Sequence, residues 1–227
     1  MEQRRQRKRV LAIVLAFVAS IVLVVSVFAQ YWLSSPSWGD KVHIGLRSFT
    51  RCQNERCVSI SNSELMDVLE QDIELVKKKN KELPAGAQMT VPRAPWHGFP
   101  VVGIITLVAA FVAAAGLIVG AVLALARQRR ELPIMPTTIA VIGLALGIIT
   151  SCIFVATKPD VFNYAAMLAP HAPLEDIIVS WSFILFGGGA VMGLAAVFPL
   201  NRQIRPIDVE LGEAAATMSW GGSRDDE

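Results

Sequence analysis

Two cysteines lie close together in a polar stretch, and they are the side chains best placed to do chemistry. Four residues separate Cys52 from Cys57, and the third cysteine, Cys152, lies in a distant apolar run. Such a pair can form a disulfide, remain as two free thiols, or act as a redox couple. A four-residue gap is not the usual redox spacing, and a membrane thiol oxidoreductase would need a relay of further cysteines. We therefore expect a structural disulfide, with a thiol oxidoreductase as the remote alternative, and no cofactor.

The residues around the pair alternate between apolar and polar types, as half-buried strands do. Residues 41–51 are predicted to form one strand and residues 57–61 a second one. The short polar segment between them would close a hairpin, with Cys52 and Cys57 bridged at its end. Because the closed ring is small, the bridge should stabilise the fold at the low end of the usual ~2–4 kcal/mol.

A helix is predicted directly after the hairpin, over residues 62–80. Ser61 or Ser63 would cap it, and Glu64 follows Ser61 at the spacing of a capping box. Acidic residues occupy its first half and lysines its end, which complements the helix dipole. One apolar stripe should pack on the hairpin, or alternatively dock on a membrane surface or a partner; it comprises Leu65, Leu69, Ile73 and Val76.

Four apolar runs surround this polar region, and each reaches the length of about 20 residues that a membrane span requires. The chain has 227 residues, of which 53% are hydrophobic and only 18% charged. The predicted spans contain no Asp, Glu, Lys, Arg or His, which argues against a proton relay, an ion pump or a charged-substrate transporter. They are residues 10–29, 101–126, 134–156 and 177–200. The sequence thus predicts an all-α membrane protein, a four-transmembrane-helix bundle with a small extracellular antiparallel β-sheet and a loop helix.

Basic residues predict the orientation of the spans. Residues 1–9 hold five Arg or Lys and residues 127–133 hold three, whereas residues 157–176 hold one. The positive-inside rule then places residues 1–9, 127–133 and 201–227 in the cytoplasm, so that both termini are cytoplasmic. Residues 30–100 and 157–176 become outer loops. We expect a multi-pass plasma-membrane protein whose first span is an uncleaved anchor, because Val27 makes a poor signal-cleavage site.

Aromatic and small residues in and near the spans predict contacts with lipid and between helices. Trp32 follows the first span, where an aromatic side chain would lie at the outer headgroup level. Glycines recur at four-residue spacing in the later spans, which favours close helix packing within the bundle, with lateral self-association as the alternative. These pairs are Gly116 and Gly120, Gly143 and Gly147, and Gly189 and Gly193.

Taken together, these features resemble the superfamily of claudins, peripheral myelin protein and calcium-channel γ subunits. Its members have four spans, a large first outer loop with a Trp, a Gly-Leu-Trp motif and a cysteine pair, and a small second outer loop. The matching residues here are Trp32, Gly45-Leu46-Arg47, Cys52 and Cys57, and the segment around Trp181 is similar to the start of the family's fourth span. Arg47 stands where the family has its Trp.

The resemblance implies a non-enzymatic protein whose outer domain makes protein–protein contacts, in adhesion, in assembly or in regulating another membrane protein. Its expected partners are the lipid bilayer and either a second copy or another membrane protein, with no nucleic acid. The alternative is a passive channel or a paracellular-type pore. In that case the charges of the outer domain would favour anions; they are Lys41, Arg47, Arg51 and Arg56.

Overall fold

The computed structural model describes residues 2–35, 40–53, 56–126, 134–161 and 176–202. Its helices are α1 (Glu2–Phe28), α2 (Asn62–Glu82), α3 (Phe99–Ala126), α4 (Ile134–Ala156) and α5 (Trp181–Arg202). Its strands are β1 (Leu33–Ser34), β2 (Asp40–Ile44), β3 (Ser48–Gln53), β4 (Arg56–Ser61) and β5 (Ile178–Val179). The predicted loop at 127–133, residues 162–175 of the short outer loop and residues 203–227 of the tail lie outside the described residues.

Within the described part of the chain, three helical segments are long and apolar enough to cross a membrane: Val10–Phe28, Phe99–Ala126 and Met135–Ala156. The apolar part of α5, Trp181–Val197, is shorter. Large aliphatic side chains cover the outward faces of all four helices, as Val25, Ile104, Ile142 and Ile184 illustrate. So much exposed apolar surface is unfavourable in water and suits a hydrocarbon environment. The length and composition of the helices are therefore consistent with a membrane protein.

Small residues bring α3 and α4 into backbone contact. A Cβ added to Gly116 would lie 2.8 Å from the Ala140 nitrogen, and one added to Gly143 would lie 2.7 Å from the Ala113 nitrogen. A buried hydrogen bond of 2.9 Å from the Thr106 hydroxyl to Thr150 Oγ1 links the same two helices. Helix packing in lipid depends on such close approach, because apolar burial alone gives no net attraction there. The α1 helix completes the bundle by packing on α3 and α5.

Within the described residues, one antiparallel sheet of five strands, in the order β4-β3-β2-β1-β5, lies at one end of the bundle. The single strand predicted over residues 41–51 is wrong, because a turn at Gly45-Leu46-Arg47 divides it into β2 and β3. The Gly45 N–H donates to the Ser48 carbonyl at 2.8 Å and closes this turn. Asn62 stabilises this turn through two hydrogen bonds. Its Nδ2 donates to the Gly45 carbonyl at 3.0 Å, and its backbone N–H donates to the Arg47 carbonyl at 3.1 Å.

The last helix begins four residues later than the start of the predicted span at 177. Ile178 and Val179 form β5 instead, and they pair with Ser34 and Leu33 of β1. Both residues are β-branched, which favours an extended backbone. This pairing joins the segment after α1 to the segment before α5.

The loop helix α2 is confirmed, and it continues two residues beyond the predicted end at Asn80. Ser61 is its N-cap, and the capping box with Glu64 is present. The predicted stripe is buried, and α2 contacts β3, β4 and α3. The stripe therefore packs on the hairpin as expected, and on the bundle as well.

Candidate functional site

The β3–β4 hairpin carries the disulfide predicted from the sequence. Cys52 and Cys57 are directly opposite each other in the antiparallel register, and their sulfur atoms are bonded at 2.08 Å. Cys57 is exposed and Cys52 is half-buried. The free Cys152 is exposed on α4. The cysteine pair thus links two strands of the sheet rather than presenting free thiols.

Trp32 lies inside the protein and not on its lipid-facing surface, whereas its depth at the headgroup level stays a prediction. Its side chain is 0% exposed, and its indole Nε1 donates to the Ser26 carbonyl at 2.8 Å. The ring packs against Phe154 of α4, at 6.1 Å between centroids, and against Phe186 of α5, at 5.4 Å. After α1 ends, the chain turns back over the bundle, and the Ser180 N–H donates to the Trp32 carbonyl at 2.9 Å. Trp32 therefore fastens the sheet to three helices.

Trp181, the other motif tryptophan, belongs to a partly exposed aromatic cluster. Its ring lies 5.7 Å from that of Tyr31, which contacts His43 edge-on at 4.6 Å. Burial, and secondly the nearby charge of Lys41, lower the pKa of His43 below its ordinary value. Within the described residues, the buried His43 Nδ1 has no hydrogen-bond partner. The imidazole is thus held in its neutral form next to the aromatic pair.

The Gly45-Leu46-Arg47 turn lies over the C-terminal end of α1 and against α3. Gly45 fits closely, since a Cβ there would be 3.2 Å from the Cα of Gln30. Leu46 is buried, and its backbone carbonyl contacts Gly103 of α3. Arg47 is exposed instead and lines a groove between α1 and β4. The motif therefore combines two buried packing positions with one exposed cation.

The other basic residues of the sheet do not converge on one face. Lys41 lies opposite Cys52, whereas Arg51 lies opposite Val58 and Arg56 opposite Gln53. Because side chains alternate along a strand, Arg51 and Arg56 share one face of the sheet and Lys41 lies on the other. Lys41 and Arg56 are exposed, whereas Arg51 is half-buried.

Contacts between distant segments hold in place the Pro-rich linker, residues 83–98 between α2 and α3, and no local sequence pattern predicts these contacts. Two hydrogen bonds of 2.8 Å join Asn80 of α2 to the backbone of Met89. Asn80 Nδ2 donates to the Met89 carbonyl, and the Met89 N–H donates to Asn80 Oδ1. His97 Nε2 lies 3.4 Å from a Glu70 carboxylate oxygen. The Arg93 N–H donates at 3.1 Å to Asp160, which belongs to the second predicted loop, after α4. The linker is thereby attached both to α2 and to the second loop.

In the part of the chain that the structure describes, the hairpin strand β4 forms an edge of the sheet and pairs with another strand on one side alone. Its first four residues are exposed, and Val58 is 65% exposed. An edge strand of this length offers unpaired backbone groups to another chain. It is six residues long, whereas the opposite edge, β5, has only two.

No protein-family model matches this chain, and no curated protein matches it either.

Proposed function

We propose that this chain is a divergent member of the claudin-like superfamily, a four-span plasma-membrane protein that uses its outer domain for contacts with other membrane proteins. One observation carries the proposal. Strand β5 lies between α4 and α5, and it pairs with β1, which follows α1. Both predicted outer loops thus contribute to a single sheet, as the resemblance to that superfamily implies.

The fourth span of the proposal corresponds to α5. This helix packs on α1 and α4, and its apolar segment Trp181–Val197 presents aliphatic side chains outward. The β1–β5 pairing keeps the end of α1 and the start of α5 on the same side. A chain with four spans has both termini on one side, and the basic residues of 1–9 favour the cytoplasm for them.

Edge strand β4 is the part of the outer domain best suited to a protein contact. A partner strand can pair with its backbone, and Val58 adds an exposed apolar side chain at its centre. The disulfide keeps this strand paired with β3 on its other side. We expect the contact to depend on both features.

Photo-crosslinking from position 58 in intact membranes tests the protein contact. A photoreactive residue at Val58 should give a discrete protein adduct, of the chain with itself or with one membrane protein. The same residue at Val91, which is also exposed but lies on the linker, is the matched control. A Cys52→Ser/Cys57→Ser double variant should abolish the adduct. Equal adducts from both positions, or none from position 58, would contradict the proposal.

Exposed cations favour an anion-selective pore as a second candidate. Lys41, Arg47 and Arg56 are all exposed on the outer domain. Replacing Arg51 and Arg56 by Glu should then reverse or remove the anion preference that is measured after many copies of the protein are reconstituted into a layer. Unchanged ion permeability in that double variant would eliminate this function while leaving the protein contact intact.

A further inference from the structure

A groove of about 440 Å³ opens between the outer end of α1 and edge strand β4. The last residues of α1 line one side of it, and Phe28 among them is 61% exposed. The rest is lined by Gln30, by the turn at 45–47, by Ser48 of β3, by residues 59–61 of β4 and by Glu64 of α2. The groove therefore combines an apolar side, continuous with the membrane-facing surface of α1, and a polar side under the sheet.

The polar side presents mainly hydrogen-bond donors. The Thr50 hydroxyl lies within hydrogen-bonding distance of Ser59 Oγ, at 3.1 Å, and of Gln30 Oε1, at 3.5 Å, and the Ser59 hydroxyl itself lines the groove. Gln30 and Ser48 add an amide and a further hydroxyl to the lining. Within the described residues, the exposed guanidinium of Arg47 takes part in no ion pair. A guanidinium with neighbouring hydroxyls and an amide matches the oxygens of a phosphate group.

Among the described residues that line the groove, the acidic side chain is that of Glu64, and it is already hydrogen-bonded. The Glu64 carboxylate accepts from the Ser61 backbone N–H at 2.8 Å and from the Ser61 hydroxyl at 2.9 Å. It also lies in the first turn of α2, where the helix dipole stabilises negative charge. Its charge is therefore partly compensated within the protein, and Arg47 remains available to an external anion.

We propose that this groove binds the phosphodiester headgroup of a phospholipid from the adjacent leaflet, with Arg47 as its main charged contact. The acyl chains would lie along α1 beside Phe28. The position favours a lipid over other phosphate compounds, because the groove begins where the membrane-crossing segment Val10–Phe28 ends. The inference rests on the proposed membrane position of α1 and does not depend on the protein contact at β4.

Lipid titration of the delipidated full-length protein in detergent, read by native mass spectrometry, tests this site. Dioleoylphosphatidylglycerol should bind with one high-affinity step, and Arg47→Gln should weaken that step about tenfold. Arg56→Gln is the matched control, because Arg56 is exposed but lies outside the groove, and it should leave the affinity unchanged. Ser59→Trp, on the exposed edge strand, should weaken binding by filling the groove. For each variant, the thermal unfolding temperature without lipid is first measured and should equal that of the wild-type protein.

Three results would overturn the proposal. Dioleoylglycerol, which lacks the phosphate, could bind as tightly as the phospholipid. Inorganic phosphate at equal concentration could displace the lipid, which would indicate a simple anion site. Arg47→Gln could bind with wild-type affinity, or Arg56→Gln could weaken binding equally. Since the titration uses the isolated protein, its failure is separable from a failure of crosslinking at position 58.

Discussion

At the scale of single residues, Trp32 illustrates how a motif residue can act through packing rather than through the surface. Its ring contacts aromatic side chains of α4 and α5, and its indole N–H is bonded to the end of α1. A residue at this junction holds the outer domain in a fixed position on the bundle. Trp181, in contrast, is 47% exposed and contacts mainly Tyr31.

Trp32→Phe should destabilise the protein by about 1–3 kcal/mol, because it removes a buried hydrogen-bond donor and reduces the volume of the ring. Thermal unfolding in detergent measures the change. Trp181→Phe is the control, and its effect should stay within about 0.5 kcal/mol because that side chain is partly exposed. Equal effects of the two substitutions would show that the Trp32 contacts do not carry this stability.

His43 should make the stability of the outer domain depend on pH. Its pKa is lowered in the folded protein, from an ordinary value of 6.5, by burial and then by Lys41. As the pH falls below 6.5, the unfolded chain takes up a proton that the folded chain resists, so the free energy of unfolding decreases. The contribution of His43 to the free energy of unfolding is complete above pH 6.5 and is lost progressively below that pH.

Unfolding measured between pH 7.5 and pH 5 checks this dependence, and His43→Gln should reduce the slope. The exposed His97 supplies the control, since His97→Gln should retain the His43 contribution. A slope that is unaffected by His43→Gln would assign the pH dependence to other groups.

At the scale of elements, local sequence signals predict α2 correctly, whereas they do not predict the short strands that pair with distant segments. The capping box and the apolar stripe of α2 are contained within one stretch of sequence, so its start, type and buried face could be read directly. Strands β1 and β5 have two residues each, and their pairing joins Leu33 to Val179, which are far apart in the sequence. No alternation of apolar and polar residues can be recognised in two residues.

The same limit applies to the candidate site. The disulfide followed from the spacing of two cysteines, and the structure confirms it. The turn at Gly45 and the burial of Trp32 depend on distant partners, namely Asn62, Ser180 and the phenylalanines of α4 and α5. The groove beside Arg47 arises only when the turn is folded over the end of α1.

The glycines of the helices separate into packing positions and open positions, and this difference can be tested. Gly143→Ala should destabilise the bundle by about 1–3 kcal/mol, because its Cβ would meet the Ala113 nitrogen at 2.7 Å and the Ala109 carbonyl at 3.0 Å. Gly188 of α5 is the matched control, since a Cβ there meets nothing within 4 Å. Gly188→Ala should be neutral or stabilising by up to about 1 kcal/mol. Titration with a denaturing detergent would measure both variants, and equal loss would contradict the close contact of α3 and α4.

At the scale of the whole molecule, one sheet determines which ends of the helices lie together. The β1–β5 pairing fixes the end of α1 and the start of α5, and Trp32 contacts Phe154 near the end of α4. Phe154 also stacks on Phe99, the first residue of α3, at 4.3 Å between centroids. All four helices therefore meet the sheet at one end of the bundle, and their opposite ends should face the other side of the membrane.

Labelling of single introduced cysteines in intact cells tests this arrangement and its predicted orientation. Asp67→Cys on α2 and Asp160→Cys beside the linker should both react with a membrane-impermeant maleimide, because both lie at the sheet end. Arg7→Cys, on the basic segment before the first span, should react only after the cells are opened. The native cysteines add little background in a Cys152→Ser chain, since Cys52 and Cys57 are oxidised. Labelling of position 7 in intact cells would show that the orientation is opposite to the predicted one. Labelling of only one of positions 67 and 160 would instead contradict the shared outer domain, because the pairing of β1 with β5 requires both loops on the same side.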